Sequence, residues 1–291
     1  MELNLPLYGF GGFSQCVGEQ LPELSGALKS SPLKPPRRSD RLTQLSLLGL
    51  AATPGYNNLN PQTQLILASG DANLSSTIQN NEQIFAQHSI PNPIAFINTV
   101  NNSTAFHISQ ALRIGGQVTT VSRGDCSLEA GFQIADTLRL EQTLPILLGS
   151  VDEVPDDPQR HRHRHKLAQH EPLGEGSYWF HCGHPQHSES PRAWVRFCGP
   201  LEDPESLPEW CRQQAPTHLL SVNGHLEPSH RIEQIPGEWV TVDSLGRMPT
   251  QNAHHLQEWL VSAHPGERLL MINRTPGSRR LCLTLIETSA G

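Results

Sequence analysis

Short apolar runs stopped by glycine alternate with helix-period segments through the first half of the chain, and few architectures accept that alternation. Residues 3–12 read as a short strand running into a glycine turn. Residues 25–41 are loop-like. Asp40 can then cap a helix whose Leu42, Leu45, Leu48 and Leu50 recur near the helical period. The sequence Thr53-Pro54-Gly55 ends it, because proline breaks the hydrogen-bond ladder and glycine permits the exit turn. Residues 64–70 form an apolar run consistent with a buried strand. A helix is expected to start near Ser75 or Ser76, and another to span 103–112 with Ala105 and Phe106 toward the core. Residues 117–122 are β-branched and strand-like, 128–138 read as helix, and 144–150 as strand. Strand and helix in turn indicate an α/β layered fold.

The second half is poorer in helix. Strand candidates fall at 177–182, 194–198, 218–222, 239–242, 269–273 and 281–286, the last two joined by a hairpin through Thr275-Pro-Gly-Ser. Only 251–262 is strongly helical there. Between the halves lies a polar excursion, 155–172, expected to be an exposed loop. The chain is thus divided into 1–154, a His/Arg-rich loop at 155–172, and a reduced second half at 173–291, together one structural domain.

Composition removes several function classes. The 21 Lys+Arg against 28 Asp+Glu leave a net charge of −7 with no long basic run, which is unsuited to the phosphate backbone of nucleic acid. No stretch of about 18 apolar residues suggests a membrane helix. The first residues lack the basic start and apolar core of a secretion signal, so a cytoplasmic location is expected. Cys16, Cys126, Cys182, Cys198, Cys211 and Cys282 are scattered without a C-x-x-C pair, as suits buried thiols in a reducing compartment. Charged residues make up only 17% of the chain against the roughly 25% of soluble proteins. A surface so poor in charge either uses neutral polar groups or is covered by a partner.

Some conspicuous motifs carry little. In the run Arg160-His-Arg-His-Arg-His-Lys166, alternating histidines would share one side of an extended strand, but the arginines between them and Lys166 repel a dication. No metal is expected there. Contact with an acidic carrier protein is the other reading. His181, Cys182, His184 and His187 match no closed zinc set. Residues 9–13, Gly-Phe-Gly-Gly-Phe, are too short for a dinucleotide fingerprint, and no G-x-S-x-G elbow occurs. No cofactor is expected.

Several segments, taken in order, resemble a known family. They are residues 36–45 (Pro-Arg-Arg-Ser-Asp-Arg-Leu-Thr-Gln-Leu), 91–96 (Pro-Asn-Pro-Ile-Ala-Phe), Val100-Asn-Asn, 115–122 (Gly-Gly-Gln-Val-Thr-Thr-Val-Ser), Ala135, 148–153 (Leu-Gly-Ser-Val-Asp-Glu) and the Gly-Glu-Gly of 174–176. Together they resemble the β-ketoacyl synthases. The resemblance is strongest over 32–154 and weak after 200. It implies the thiolase fold, two βαβαβ-type halves stacked in α/β/α/β/α layers. It also implies a nucleophilic cysteine at a helix N-terminus, where the positive end of the helix favours thiolate, with two histidines to stabilise the enolate and oxyanion.

At the implied positions the chemistry is replaced. Spacing from Ala135 and from the strand at 146–149 puts Asp125 at the nucleophile position; a one-residue slip would put Cys126 there. Asn223 stands where the first histidine is implied, with His225 two residues on, and Arg247 where the second is. Asparagine can still donate a hydrogen bond, but arginine stays protonated and cannot act as a base. Loss of groups that act in concert removes nearly all of a rate.

A ketosynthase-like chain without its cysteine resembles a chain-length factor, the inactive partner of an active synthase in type II polyketide systems, here most similar to the aryl-polyene type. The resemblance then implies a heterodimer with the active ketosynthase, with acyl carrier protein reached through the complex. It places the edge strand Val118–Val121 at the dimer contact and a helix over 101–112 facing the partner's acyl tunnel. Phe106, His107 and Gln110 are the tunnel-end candidates and Val118 and Val121 the interface candidates; ordinary packing is the bland reading of all five. The alternative function is a thiolase-fold acyltransferase or thioesterase-like enzyme using Cys126 with His225.

Overall fold

The computed structural model describes residues 1–290 apart from Asn101 and the segments 187–189, 223–234 and 275–279. The first part runs β1 (Glu2–Val17), α1 (Ser25–Ser30), α2 (Arg41–Ala51), β2 (Gln64–Ala68), α3 (Leu74–Asn81, extended by a π turn), α4 (Pro93–Ile97), α5 (Ser103–Leu112), β3 (Val118–Val121), α6 (Ser127–Glu141), β4 (Pro145–Asp152), α7 (Pro158–Arg164) and β5 (Leu173–Gly183). The second runs β6 (Ala193–Leu201), α8 (Leu207–Gln214), β7 (His218–Ser221), β8 (Glu238–Trp239), α9 (Gln251–Ser262), β9 (Arg268–Arg274) and β10 (Leu281–Thr288).

The strands hydrogen-bond in the order β3-β2-β4-β5-β1-β6-β10-β9-β7-β8. Renumbering β6–β10 as a second set of five turns the right-hand side into the mirror of the left. The pairings agree as well: β2–β3 and β2–β4 are parallel, as are β7–β8 and β7–β9. The β4–β5, β5–β1, β9–β10 and β10–β6 pairs are antiparallel. Strands β1 and β6 join the two sets. The repeat therefore breaks between Gly183 and Ala193, and β5, assigned from sequence to the second half, pairs within the first.

Alternation along the strands sorts the core into layers, because successive side chains leave a strand on opposite faces. On β2, Leu65 and Leu67 pack with Leu45 and Leu47 of α2 and Ile108 of α5, whereas Ile66 and Ala68 join the central core. On β9, Leu270 and Ile272 meet Leu207 and Cys211 of α8, whereas Leu269 and Met271 turn inward. Between the two strand sets lie Leu128, Phe132, Ala135 and Leu138 of α6 and Ala253, Leu256 and Trp259 of α9. The succession is outer helices, strands, central helices, strands, outer helix.

Several expectations are corrected. The glycines after residue 8 do not turn the chain: β1 continues through them, with an irregularity in its pairing between Leu7 and Gly9. At Gly11 a Cβ would lie 2.5 Å from the Thr53 backbone, so this glycine allows close approach of α2's end instead of a turn. Residues 25–30, read as loop, form α1, and α8 is a helix without a sequence forecast. The 155–172 excursion contains α7, with His161 and Arg162 buried. Phe106 faces outward, 57% exposed, while Ala105 is buried as expected. The hairpin at 275–278 lies outside the described residues.

The cap at Asp40 forms as expected, its carboxylate accepting from the Thr43 N–H at 2.8 Å. Asp40 also accepts from Asn73 at 2.7 Å. Asp40→Ala is expected to lower stability by about 1–2 kcal/mol in urea denaturation, the usual worth of an N-cap.

Candidate functional site

The ends of two central helices meet where the two strand sets face each other. After β3 the chain turns through Gly124, at φ +56°, and delivers Asp125 and Cys126 to the start of α6. Before α9 it turns through Gly246, at φ +108°, where a Cβ would lie 2.6 Å from the Leu173 carbonyl carbon. Only glycine fits that conformation and that gap. The turn clamps Arg247 to the start of β5: the Arg247 N–H donates to Pro172 O and Gly174 N–H donates to Arg247 O, both at 3.0 Å.

The two turns aim their side chains at each other. Arg247 Nη2 donates to both carboxylate oxygens of Asp125, at 2.8 and 2.6 Å. The Asp125 side chain is 4% exposed and that of Arg247 15%. Two residues far apart in sequence are thus one ion pair, its carboxylate buried and its guanidinium largely so.

Behind the pair, Asn273 of β9 donates to the Asp125 carbonyl at 2.7 Å and to Glu129 Oε1 at 2.9 Å. Asn252 of α9 donates to Glu129 Oε2 at 2.8 Å. Burial raises the Glu129 pKa above the ordinary carboxylate range, and these amide hydrogen bonds partly oppose the rise. The second half thereby grips both the first turn and the first carboxylate of α6. Glu129 lies one helical turn after Asp125, so its nearness is readable from spacing; Asn252 and Asn273 carry no such local signal.

Cys126 points elsewhere. It is buried, and its side chain is hydrogen-bonded to Cys282, whose thiol pKa is raised first by that bond and then by burial. Donor atoms of Cys126, Glu129 and Cys282 lie within 4.8 Å of one another. With both Glu129 oxygens taken by asparagines, this set is better satisfied as a polar cluster than as a metal centre. None of the six cysteines forms a disulfide among the described residues. Asn223 and His225 lie outside the described residues.

The family-like motifs also find each other. Glu175 of the Gly-Glu-Gly segment, fully buried, receives Arg41 Nε at 2.8 Å and Gln15 Nε2 at 2.6 Å. Asp152 Oδ1 accepts from Ser69 Oγ, Gly70 N–H and Asp71 N–H at 2.8, 2.8 and 3.1 Å. Glu153 Oε1 accepts from Ser75 N–H at 2.9 Å. The Val-Asp-Glu end of β4 therefore holds the loop that leaves β2.

At the far edge of the sheet, β3 pairs on one side only among the described residues. Val118 is 41% exposed, Val121 is half-buried, Gln110 is exposed and His107 half-buried. Phe96, Ile97, Val100 and Phe106 on the neighbouring segments are exposed as well. Val118 on the open strand and Phe106 on α5, which packs against that strand, leave apolar surface at an unpaired edge, a template for pairing with another chain.

No protein-family model matches the sequence, and neither does any curated protein. Solved structures do match. The ishigamide ketosynthase/chain length factor superposes with a TM-score of 0.75 at 15% identity, over 99% of this chain and 100% of that one. The fold is thiolase-like. A β-ketoacyl synthase from Burkholderia phymatum gives 0.70 at 11% identity, each chain fully covered. A ketosynthase in complex with its chain length factor from Xenorhabdus doucetiae gives 0.54 at 12%, over 97% of this chain and 99% of that one. The thiolase-like fold explains the doubled strand order and the helix layer between the strand sets. Among the described residues, no helix is long and apolar enough to cross a membrane.

Proposed function

We propose that this chain is a catalytically inactive ketosynthase-like subunit, a chain-length factor, that forms a heterodimer with an active β-ketoacyl-ACP synthase and shapes its acyl tunnel. The synthesis served is that of a polyketide, of the aryl-polyene type, or of a fatty-acid-like chain, with acyl carrier protein docking through the complex. The Asp125–Arg247 ion pair carries this reading. It stands where the resemblance implies the nucleophile and one histidine. A carboxylate held by a guanidinium offers no thiolate, and arginine supplies no base. The open β3 edge with Phe106 and Val118 supports a partner that continues the sheet, and the chain-length-factor complexes among the structural neighbours support the kind of partner.

Co-expression with the active synthase is expected to yield a 1:1 complex by light scattering, and the chain alone no condensation of malonyl-ACP. Phe106→Asp is expected to weaken the complex at least tenfold, since it puts a charge into an apolar contact. A chain that never binds a synthase, or one that condenses by itself, refutes the proposal. The enzyme reading through Cys126 is less well supported, because that thiol faces Cys282 and Glu129. Intact-mass spectrometry after acyl-CoA or acyl-ACP incubation is expected to show no adduct that Cys126→Ala removes.

A further inference from the structure

The helix α7 changes what the His/Arg run can do. On an extended strand, His161, His163 and His165 would share one side. In the helix, residues four apart share a face, so His161 and His165 come together and His163 is exposed. Their rings meet edge to face, centroids 4.5 Å apart. The third member is Asp71, from the turn after β2. One donor atom from each of Asp71, His161 and His165 lies within 4.8 Å of the other two.

This corner is held in place by contacts outside the triad. Asp157 caps α7 by accepting from Arg160 N–H at 2.9 Å. The buried Arg162 guanidinium donates to Glu171 O at 2.8 Å and Gly18 O at 2.9 Å, pinning the helix to the end of β1. Asp71 is fixed by its N–H on Asp152 and by Arg164, which donates to Oδ1 at 2.7 Å. Yet among the described residues Asp71 Oδ2, His161 Nδ1 and His165 Nε2 are buried with no hydrogen-bond partner, although Asp71 Oδ2 and His165 Nε2 form an ion pair when the imidazole is protonated. His165 Nε2 stands 3.6 Å from Asp71 Oδ2, too long for a hydrogen bond. His161 is 5% exposed. Three ligand-type atoms with no hydrogen bond, gathered on one buried and two half-buried side chains, cost free energy that an ion between them would recover.

We propose that Asp71, His161 and His165 bind a single divalent transition-metal ion of the zinc class, tying α7 to the turn after β2. Two imidazoles and a carboxylate are a zinc-type set, and three protein ligands leave a fourth position for water. Bonds of about 2.0–2.1 Å place tetrahedral ligand atoms roughly 3.4 Å apart. Asp71 Oδ2 and His165 Nε2, at 3.6 Å, already stand near that spacing, and His161 closes in by at most about 1.4 Å. The Arg164 contact to the other oxygen of Asp71 orients the carboxylate, as partners behind metal ligands do. Arg160 is paired with Glu82 at 2.8 Å, which balances its charge away from the site.

Zinc chloride titrated calorimetrically into the chelator-stripped full chain is expected to show one ion per chain. His161→Ala, His165→Ala and Asp71→Asn are each expected to weaken it at least tenfold, since even the groups behind a ligand are worth about 10–100-fold. His163→Ala and His170→Ala, both exposed, should leave it unchanged. Co2+ added to the wild-type chain should give the intense visible absorption of a four-coordinate site, a readout that needs no variant to fold. No stoichiometric zinc, binding lost instead with His163 or His170, or Co2+ absorption like that of the hydrated ion overturns the proposal.

Discussion

Arg247→Leu is expected to destabilise the chain by about 3–5 kcal/mol, the usual cost of removing one partner from a buried ion pair. The reason lies on the other side of the pair. Asp125 is 4% exposed and gives both carboxylate oxygens to Arg247 Nη2, so the substitution removes the charged partner of a carboxylate held largely out of water. Most of the loss is that desolvation penalty, and little is the net attraction of the pair. The double variant Asp125→Leu/Arg247→Leu should therefore recover much of the stability, because replacing both members with apolar groups is often near neutral. Urea denaturation of both single variants and the double gives the coupling energy directly. A single variant within 1 kcal/mol of wild type would mean that the pair is not buried in solution. If the Leu/Leu chain also binds the synthase proposed as its partner, the pair is structural and that binding does not depend on it.

Glu153→Gln is expected to stabilise the chain at high pH and to do little at low pH. Burial, as the largest cause, raises the Glu153 pKa from 4.5 to about 8, with Asp40 and Glu175 adding like-charge repulsion. Between those two values the folded chain holds a proton that the unfolded chain releases. Wild-type stability through this group is therefore greatest below about pH 4.5, falls as pH rises, and levels off above about pH 8. Glutamine keeps an acceptor for the Ser75 N–H and never ionises. At 1.36 kcal/mol per pKa unit, the advantage of the variant grows to at most roughly 4–5 kcal/mol by pH 9. Urea midpoints at pH 5 and pH 9 read it; an equal difference at both would refute the buried carboxyl.

Much of the fold was legible because local patterns were strong. The helix at 251–262 falls on its forecast bounds, as the central helix α6 nearly does, since each combines apolar periodicity with a glycine-bearing turn before it. The strands at 64–68 and 269–273 were equally plain, being apolar runs buried on both faces. The errors fall where tertiary contact overrides composition. Polar helix α7 looked like loop because its stability comes from Arg162 bonding to β1 and Glu171, which no local window contains. The glycines of β1 looked like a turn because a glycine marks either a bend or a close approach, and only the neighbour, here Thr53, tells which.

The order of most segments could be read from the residues alone, because strand and helix periods are local and the motifs are spaced along one chain. What the sequence left open was the direction of two adjacent side chains. In the folded chain Asp125 turns to Arg247 and Cys126 to Cys282, a choice made by which partners the second half brings to the start of α6. The same is true of the histidines at 161 and 165: their residue types were visible at once, but whether they face each other depends on strand or helix, and that depended on packing against β1. Periodicity settles what an element is; long-range contact settles what each of its side chains meets.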